Sequence, residues 1–166
     1  QGGSPAQTPP QTQTTVQTQT IEFGGTPTAE MQWAYENGFI EDTGRGTYHP
    51  NRQMTNQQLW FALAQFMNEP VFSDSQAVDW ALDNGLASGK DSNGKLTRLT
   101  MITDLYRCAF LMGCDVSDQT SLQGYADIAQ VTGMPRDAVS WALANRITSA
   151  SGKKQLNPSG IVSCAQ

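Results

Sequence analysis

The sequence predicts an all-α fold: three helix-loop-helix units behind an extended N-terminal tail with the makings of a strand. Three observations predict it. A segment recurs as Trp33-Ala34-Tyr35-Glu36-Asn37-Gly38, Trp80-Ala81-Leu82-Asp83-Asn84-Gly85 and Trp141-Ala142-Leu143-Ala144-Asn145-Arg146, each reading as the last turns of a helix before a stop. A capped apolar stripe follows the first two copies, and Ser163 follows Trp141 by the same 22 residues that separate Thr55 from Trp33. Self-similarity on this scale marks stacked units, none of which buries its apolar face alone. Residues 1–28, finally, are built from Gln, Thr, Gly and Pro with almost no large apolar side chains, too little to offset the entropy of ordering them.

Taken in order, the tail comes first. Within it Thr15, Val16, Thr18, Thr20, Ile21 and Phe23 bring β-branched and aromatic residues to strand spacing ahead of Gly24-Gly25, so residues 15–23 are expected to pair with any free edge offered to them. Their other reading is a spacer, with threonines open to O-glycosylation. The first unit, about 29–68, opens at Thr28 as N-cap and stops at Asn37-Gly38, where glycine supplies a left-handed C-cap. Its second helix starts at Thr55, and Gln58 completes a capping box. Leu59, Trp60, Leu63, Phe66 and Met67 then form one apolar stripe.

The second unit, about 72–113, repeats the stop at Asn84-Gly85, turns at Asn93-Gly94 and reopens at Thr97. Ile102, Leu105, Tyr106 and Ala109 line its core face up to Gly113. The third unit, about 122–166, has Arg146 in place of the stop glycine, and a side chain disfavours the left-handed backbone needed there. Its cap is therefore expected to be bent into shape by Asn145 or held less tightly, and this unit to be the loosest. Its second helix is due at Ser163-Cys164, so an apolar groove is expected to lie open unless a neighbouring chain or the protein's own tail fills it. The three repeated tryptophans are assigned to the core.

Composition excludes several functions. A net charge of -5 leaves no clustered Lys and Arg to release counterions from nucleic acid. No apolar run approaches the roughly 20 residues needed to cross a bilayer, so no membrane insertion is expected. The Gln/Thr-rich, Lys-poor start reads as the mature end left by a removed export signal, which places the protein outside the cell. Cys108, Cys114 and Cys164 have no zinc spacing, and His49 is the single histidine; no metal or other cofactor is expected. Cys108 shares a stripe with Met101, Leu105 and Met112 and reads as a small core residue. One cysteine pair is open to oxidation in such a compartment. No nucleophile and base share a motif with His49, so the protein reads as no enzyme. Asp91-Ser92-Asn93-Gly94 lacks the later acidic positions of a calcium loop.

The residues resemble S-layer homology repeats, the wall-anchoring modules of bacterial surface proteins, over roughly 29–166. Phe72-Ser73-Asp74, Ala77-Val78-Asp79-Trp80-Ala81, Asn84-Gly85-Leu86 and Thr97-Arg98 carry the likeness in the second unit. Tyr48-His49-Pro50 and Thr55-Asn56 carry it in the first, and Tyr125-Ala126-Asp127, Ala138-Val139-Ser140-Trp141-Ala142 and Leu156-Asn157-Pro158 in the third. The resemblance implies a pseudo-threefold spindle whose Thr-Arg arginine helps bind acidic wall polysaccharide. Arg98, following Thr97, carries that role over, with Arg52 and Lys95 as accessory cations; Asn56 and Cys164 stand at its other two positions. A planar guanidinium donates paired hydrogen bonds to a carboxylate, and a helix N-terminus adds positive potential. The expected partner is therefore cell-wall polysaccharide at the bacterial surface. The alternative partner is the protein itself, a homo-oligomer or filament joined through residues 15–23, with Cys164 linking chains.

Overall fold

A computed structural model describes residues 22–23, 27–39, 47–89, 93–150 and 154–165. Among them are five α-helices, α1 (Ala29–Glu36), α2 (Asn56–Phe66), α3 (Asp74–Asp83), α4 (Arg98–Leu111) and α5 (Met134–Ala144), with one 3-10 turn at Ile128–Gln130. Two short strands, β1 (Glu22–Phe23) and β2 (Thr47–Tyr48), pair in parallel. Residues 15–21 of the proposed docking strand lie outside the described residues; the part inside them pairs within its own chain.

Helix boundaries follow the capping chemistry. Thr28, Thr55, Ser73 and Thr97 each accept a hydrogen bond from the backbone N–H three residues on, and Thr55 with Gln58 closes a full capping box. At the stops, Gly38 and Gly85 take φ +77° and +69°, the left-handed region that glycine enters without steric cost. Asn37, Asn84 and Asn145 each donate a side-chain N–H to the carbonyl of the tryptophan four residues before. In α5 Arg146 itself adopts φ +59°, and the backbone bonds that close this stop match those at Asn84-Gly85. Asn145, donating its side-chain N–H to the Trp141 carbonyl, thus shapes this stop where glycine is missing, the first of the two expectations for it.

A closed ring of backbone hydrogen bonds ties the chain together. Met54 N–H donates to Val162 C=O at 2.9 Å, Val162 N–H to Leu96 C=O at 3.0 Å, and Leu96 N–H to Met54 C=O at 2.9 Å. Outside this triangle Asn56 N–H donates to Gly94 C=O, Arg98 N–H to Gly160 C=O and Cys164 N–H to Arg52 C=O. Three distant segments thus satisfy one another's backbone groups at the core, where unpaired ones would be costly. Leu96 and Val162 are fully buried there. Thr55 and Thr97 leave the ring to start α2 and α4; Ser163 stands at the same point of the third segment, bridged to Gln53.

Two apolar clusters flank the ring. One joins Leu59, Trp60 and Leu63 of α2 with Trp80 of α3 and Leu86 just past it, and the other joins Ile102, Val139, Trp141 and Leu156 around α4 and α5. Accordingly α2 packs on α3 and α4 on α5, whereas among the described residues no helix lies along α1. This corrects the core assignment for one tryptophan. Trp80 and Trp141 are 8% and 7% exposed, but Trp33 is 55% exposed, because none of the described helices covers α1 as α2 and α4 cover the other two. Cys108 is buried as expected, and no disulfide joins it to Cys114 or Cys164.

Candidate functional site

Arg98 is the first residue of α4, placed by the Thr97 cap and by its own N–H bond to Gly160 C=O. The ring brings the loop after α5 against it. Its guanidinium donates to Thr148 Oγ1 and, at 2.6 Å, to the Ser149 carbonyl. The stem borders a small apolar pocket with Leu99, Ile102, Val139 and Leu156, as long cationic side chains commonly rest on apolar surface. Outward of it opens a polar cleft of about 280 Å³ walled by Arg98, Ser149, Ala150, Gln155, Leu156 and Asn157.

The far wall is held by Asp127, whose two carboxylate oxygens accept the N–H groups of Leu156 and Asn157 at 2.9 and 2.7 Å. Slight burial pushes this carboxyl up, but the N–H groups of Leu156, Asn157 and Asp127 itself outweigh it and hold the pKa below its ordinary value. Asn157, at φ +51°, and the Pro158 C=O that accepts from Leu99 N–H complete the attachment of the loop to α4. Among the described residues no carboxylate pairs with the Arg98 guanidinium, which donates to a hydroxyl and a carbonyl. A cation so placed, at a helix N-terminus facing hydroxyl, amide and carbonyl groups, suits an acidic, hydroxyl-rich ligand.

The other expected residues do not gather here. Thr97 spends its side chain as the N-cap, and neither it, Arg52 nor Lys95 walls the cleft. Lys95 is exposed on the ring opposite Thr55, and Arg52 is exposed in the turn before Gln53. Of the assembly residues, Thr15, Val16, Thr18, Thr20 and Ile21 lie outside the described residues, Phe23 belongs to β1, and Cys164 is half-buried with its N–H held by Arg52 C=O. Sequence reasoning missed Thr148, Ser149 and Gln155, which contribute as loop residues without a motif, and quoted Asn157 without placing it at the site. It also quoted Asp127 without its role in holding the loop.

A second polar feature lies in the core. Trp60 Nε1 donates to Asp104 Oδ2 at 3.0 Å, joining α2 to α4, and Asp104 is only 1% exposed. Burial pushes its carboxyl up to about 6, against the smaller lowering from the Trp60 bond and the Arg107 charge. Burial, and then the Asp104 charge, also push the Cys108 thiol up to about 12, so this cysteine is not a nucleophile.

The comparisons with known proteins bear on this geometry. The family model described as S-layer homology domain matches residues 26–59, a span that holds α1, β2, the first ring segment and the start of α2. No curated protein matches the chain. The match is consistent with an S-layer homology family, whose domains anchor proteins to cell surfaces rather than catalyse reactions, and so points to a protein held at the cell envelope. Among the described residues no helix is long and apolar enough to cross a membrane, and no cluster of His, Cys, Asp and Glu could hold a metal ion.

Proposed function

We propose that this chain is a non-enzymatic, extracellular structural protein that associates with the bacterial envelope by binding acidic wall polysaccharide in the cleft beside Arg98. The observation that carries the reading is the Arg98 guanidinium itself. It is fixed by Thr148 and Ser149, lacks a carboxylate partner among the described residues, and stands at the mouth of a polar cleft. The reading includes three pseudo-repeats arranged about a pseudo-threefold axis, supported by the cyclic order in which Met54, Leu96 and Val162 bond one another. Asn56 and Cys164 occupy the ring positions that match Arg98, so one strong anion site per chain is expected rather than three. Self-assembly through residues 15–23 has less support, since Glu22 and Phe23 pair with Thr47 and Tyr48 of the same chain.

Co-sedimentation with purified bacterial cell walls tests the site. Arg98→Gln keeps a polar N–H donor on a shorter side chain and removes the charge. Losing charge-assisted hydrogen bonds worth about 1.5–3 kcal/mol is expected to weaken wall binding about 10- to 100-fold, with thermal stability nearly unchanged. Arg98→Lys is expected to recover part of the binding, because a point charge remains but the planar fork does not. Full wall binding by a folded Arg98→Gln protein would remove Arg98 from the site.

A further inference from the structure

We propose that Asn93-Gly94 is a self-modification site, where the main-chain nitrogen of Gly94 attacks the Asn93 side-chain amide and leaves isoaspartate at the point that seats α2. The chain has three Asn-Gly pairs, Asn37-Gly38, Asn84-Gly85 and Asn93-Gly94. Glycine presents its nitrogen without a Cβ beside it, so all three pairs carry the reactive dipeptide. The fold disarms two of them. Asn37 and Asn84 are helix stops whose side-chain N–H groups are held by the Trp33 and Trp80 carbonyls at 2.8 and 2.9 Å. The nitrogens that would attack are held as well, since Gly38 N–H donates to Tyr35 C=O at 3.0 Å and Gly85 N–H to Leu82 C=O at 3.1 Å.

Asn93-Gly94 has none of these restraints. Asn93 is exposed in the turn ahead of α4, and among the described residues neither its side chain nor the Gly94 N–H has a hydrogen-bond partner. The chemistry needs only water. Hydroxide takes the Gly94 N–H proton, the nitrogen bonds to Asn93 Cγ, and the Cγ–Nδ2 bond breaks, so that ammonia leaves and a succinimide remains. Water then opens the succinimide at one of its two carbonyls. Opening at the former side-chain carbonyl leaves an aspartate, and opening at the main-chain carbonyl routes the backbone through Cβ and Cγ, which is isoaspartate. The turn is coupled to the ring. Gly94 C=O accepts the N–H of Asn56, the first residue of α2, at 3.1 Å, and Lys95 is bridged to Thr55, the N-cap of that helix. Isoaspartate adds one methylene to the main chain directly before Gly94, together with a negative charge. The carbonyl that holds Asn56 is thereby displaced, and the seat of α2 loosens while the apolar clusters stay intact.

Mass spectrometry of the aged full chain tests this. The folded protein is kept at 37 °C in 18O-labelled water, at pH 8 and at pH 5, and is then digested briefly with trypsin in ordinary water. Cleavage after Arg45, Arg52, Lys90 and Lys95 puts the three pairs on separate peptides, 1–45, 53–90 and 91–95. The 91–95 peptide is expected to split into two heavier isomers that carry a solvent oxygen and match synthetic aspartate and isoaspartate standards, faster at pH 8. The other two pairs must first open two hydrogen bonds and are expected to react at least about tenfold more slowly. In urea all three are expected to convert at similar rates. Deuterium exchange at the Asn56 amide is expected to be several-fold faster in the isoaspartate form than in the parent. Conversion at Asn93 no faster than at Asn84 in the folded protein overturns the proposal. So does an aspartate product without isoaspartate, which marks direct hydrolysis, and so does unchanged Asn56 exchange in the modified protein, which uncouples the turn from α2.

Discussion

Trp80→Ala and Trp141→Ala are each expected to lower stability by about 3–5 kcal/mol, the cost of removing a packed core tryptophan, whereas Trp33→Ala is expected to cost under about 1.5 kcal/mol. The three residues hold the same place in three near-identical helical segments, so helix propensity does not separate them. What differs is the helix laid across each: α2 over Trp80, α4 over Trp141 and, among the described residues, none over Trp33. Urea denaturation of the three variants measures this directly. A loss of a few kcal/mol is a large share of the stability of a domain this size, and the first two variants are expected to be partly unfolded at 37 °C. Trp80→Phe refines the test. The Trp80 indole N–H is buried without a partner, so phenylalanine removes an unsatisfied donor along with some volume, and its cost is expected to be well below that of alanine. Equal losses at all three positions would contradict the packing described here.

Acidity acts on the core through Asp104. Its carboxyl is raised from an ordinary 3.8 to about 6, so between those values the folded protein holds a proton that the unfolded chain has released. Stability from this group is therefore complete below about pH 4, falls as the pH rises toward 6, and is level above that. A shift of about two pH units corresponds to about 3 kcal/mol. Asp104→Asn keeps a carbonyl oxygen for Trp60 Nε1 and cannot ionise, so it is expected to be more stable than the parent at pH 7 by up to that amount and to lose the slope between pH 4 and 6. Glu30, Asp115 and Asp127 have lowered pKa values. Their contribution has the opposite sign: it is present above their ordinary carboxylate values and is lost as the pH falls through their lowered ones. Parallel stability curves for parent and variant from pH 4 to 7 would show that Asp104 is not protonated in the fold.

Much of the fold was legible because caps and stops are local. Thr28, Thr55, Thr97, Gly38 and Gly85 act within a few residues of themselves, and their chemistry is written in adjacent letters. The ring was not legible: Met54, Leu96 and Val162 meet across long separations, and nothing in their own segments names the partner. The same limit explains the misplaced Trp33, whose environment depends on a helix elsewhere. At the site, the Thr97-Arg98 pair was visible as a motif, but the walls of its cleft come from a loop about 50 residues further on. Asp104 did leave a trace, as one carboxylate in phase with Met101 and Cys108 on the buried stripe of α4.

The most direct test of the account is co-sedimentation of the unmodified chain with purified bacterial cell walls, run beside the same walls stripped of their acidic polysaccharide. Binding to intact walls that weakens with added salt, and that is lost on stripped walls, is the result the Arg98 cleft predicts. Equal binding to both preparations, or none to either, would contradict it.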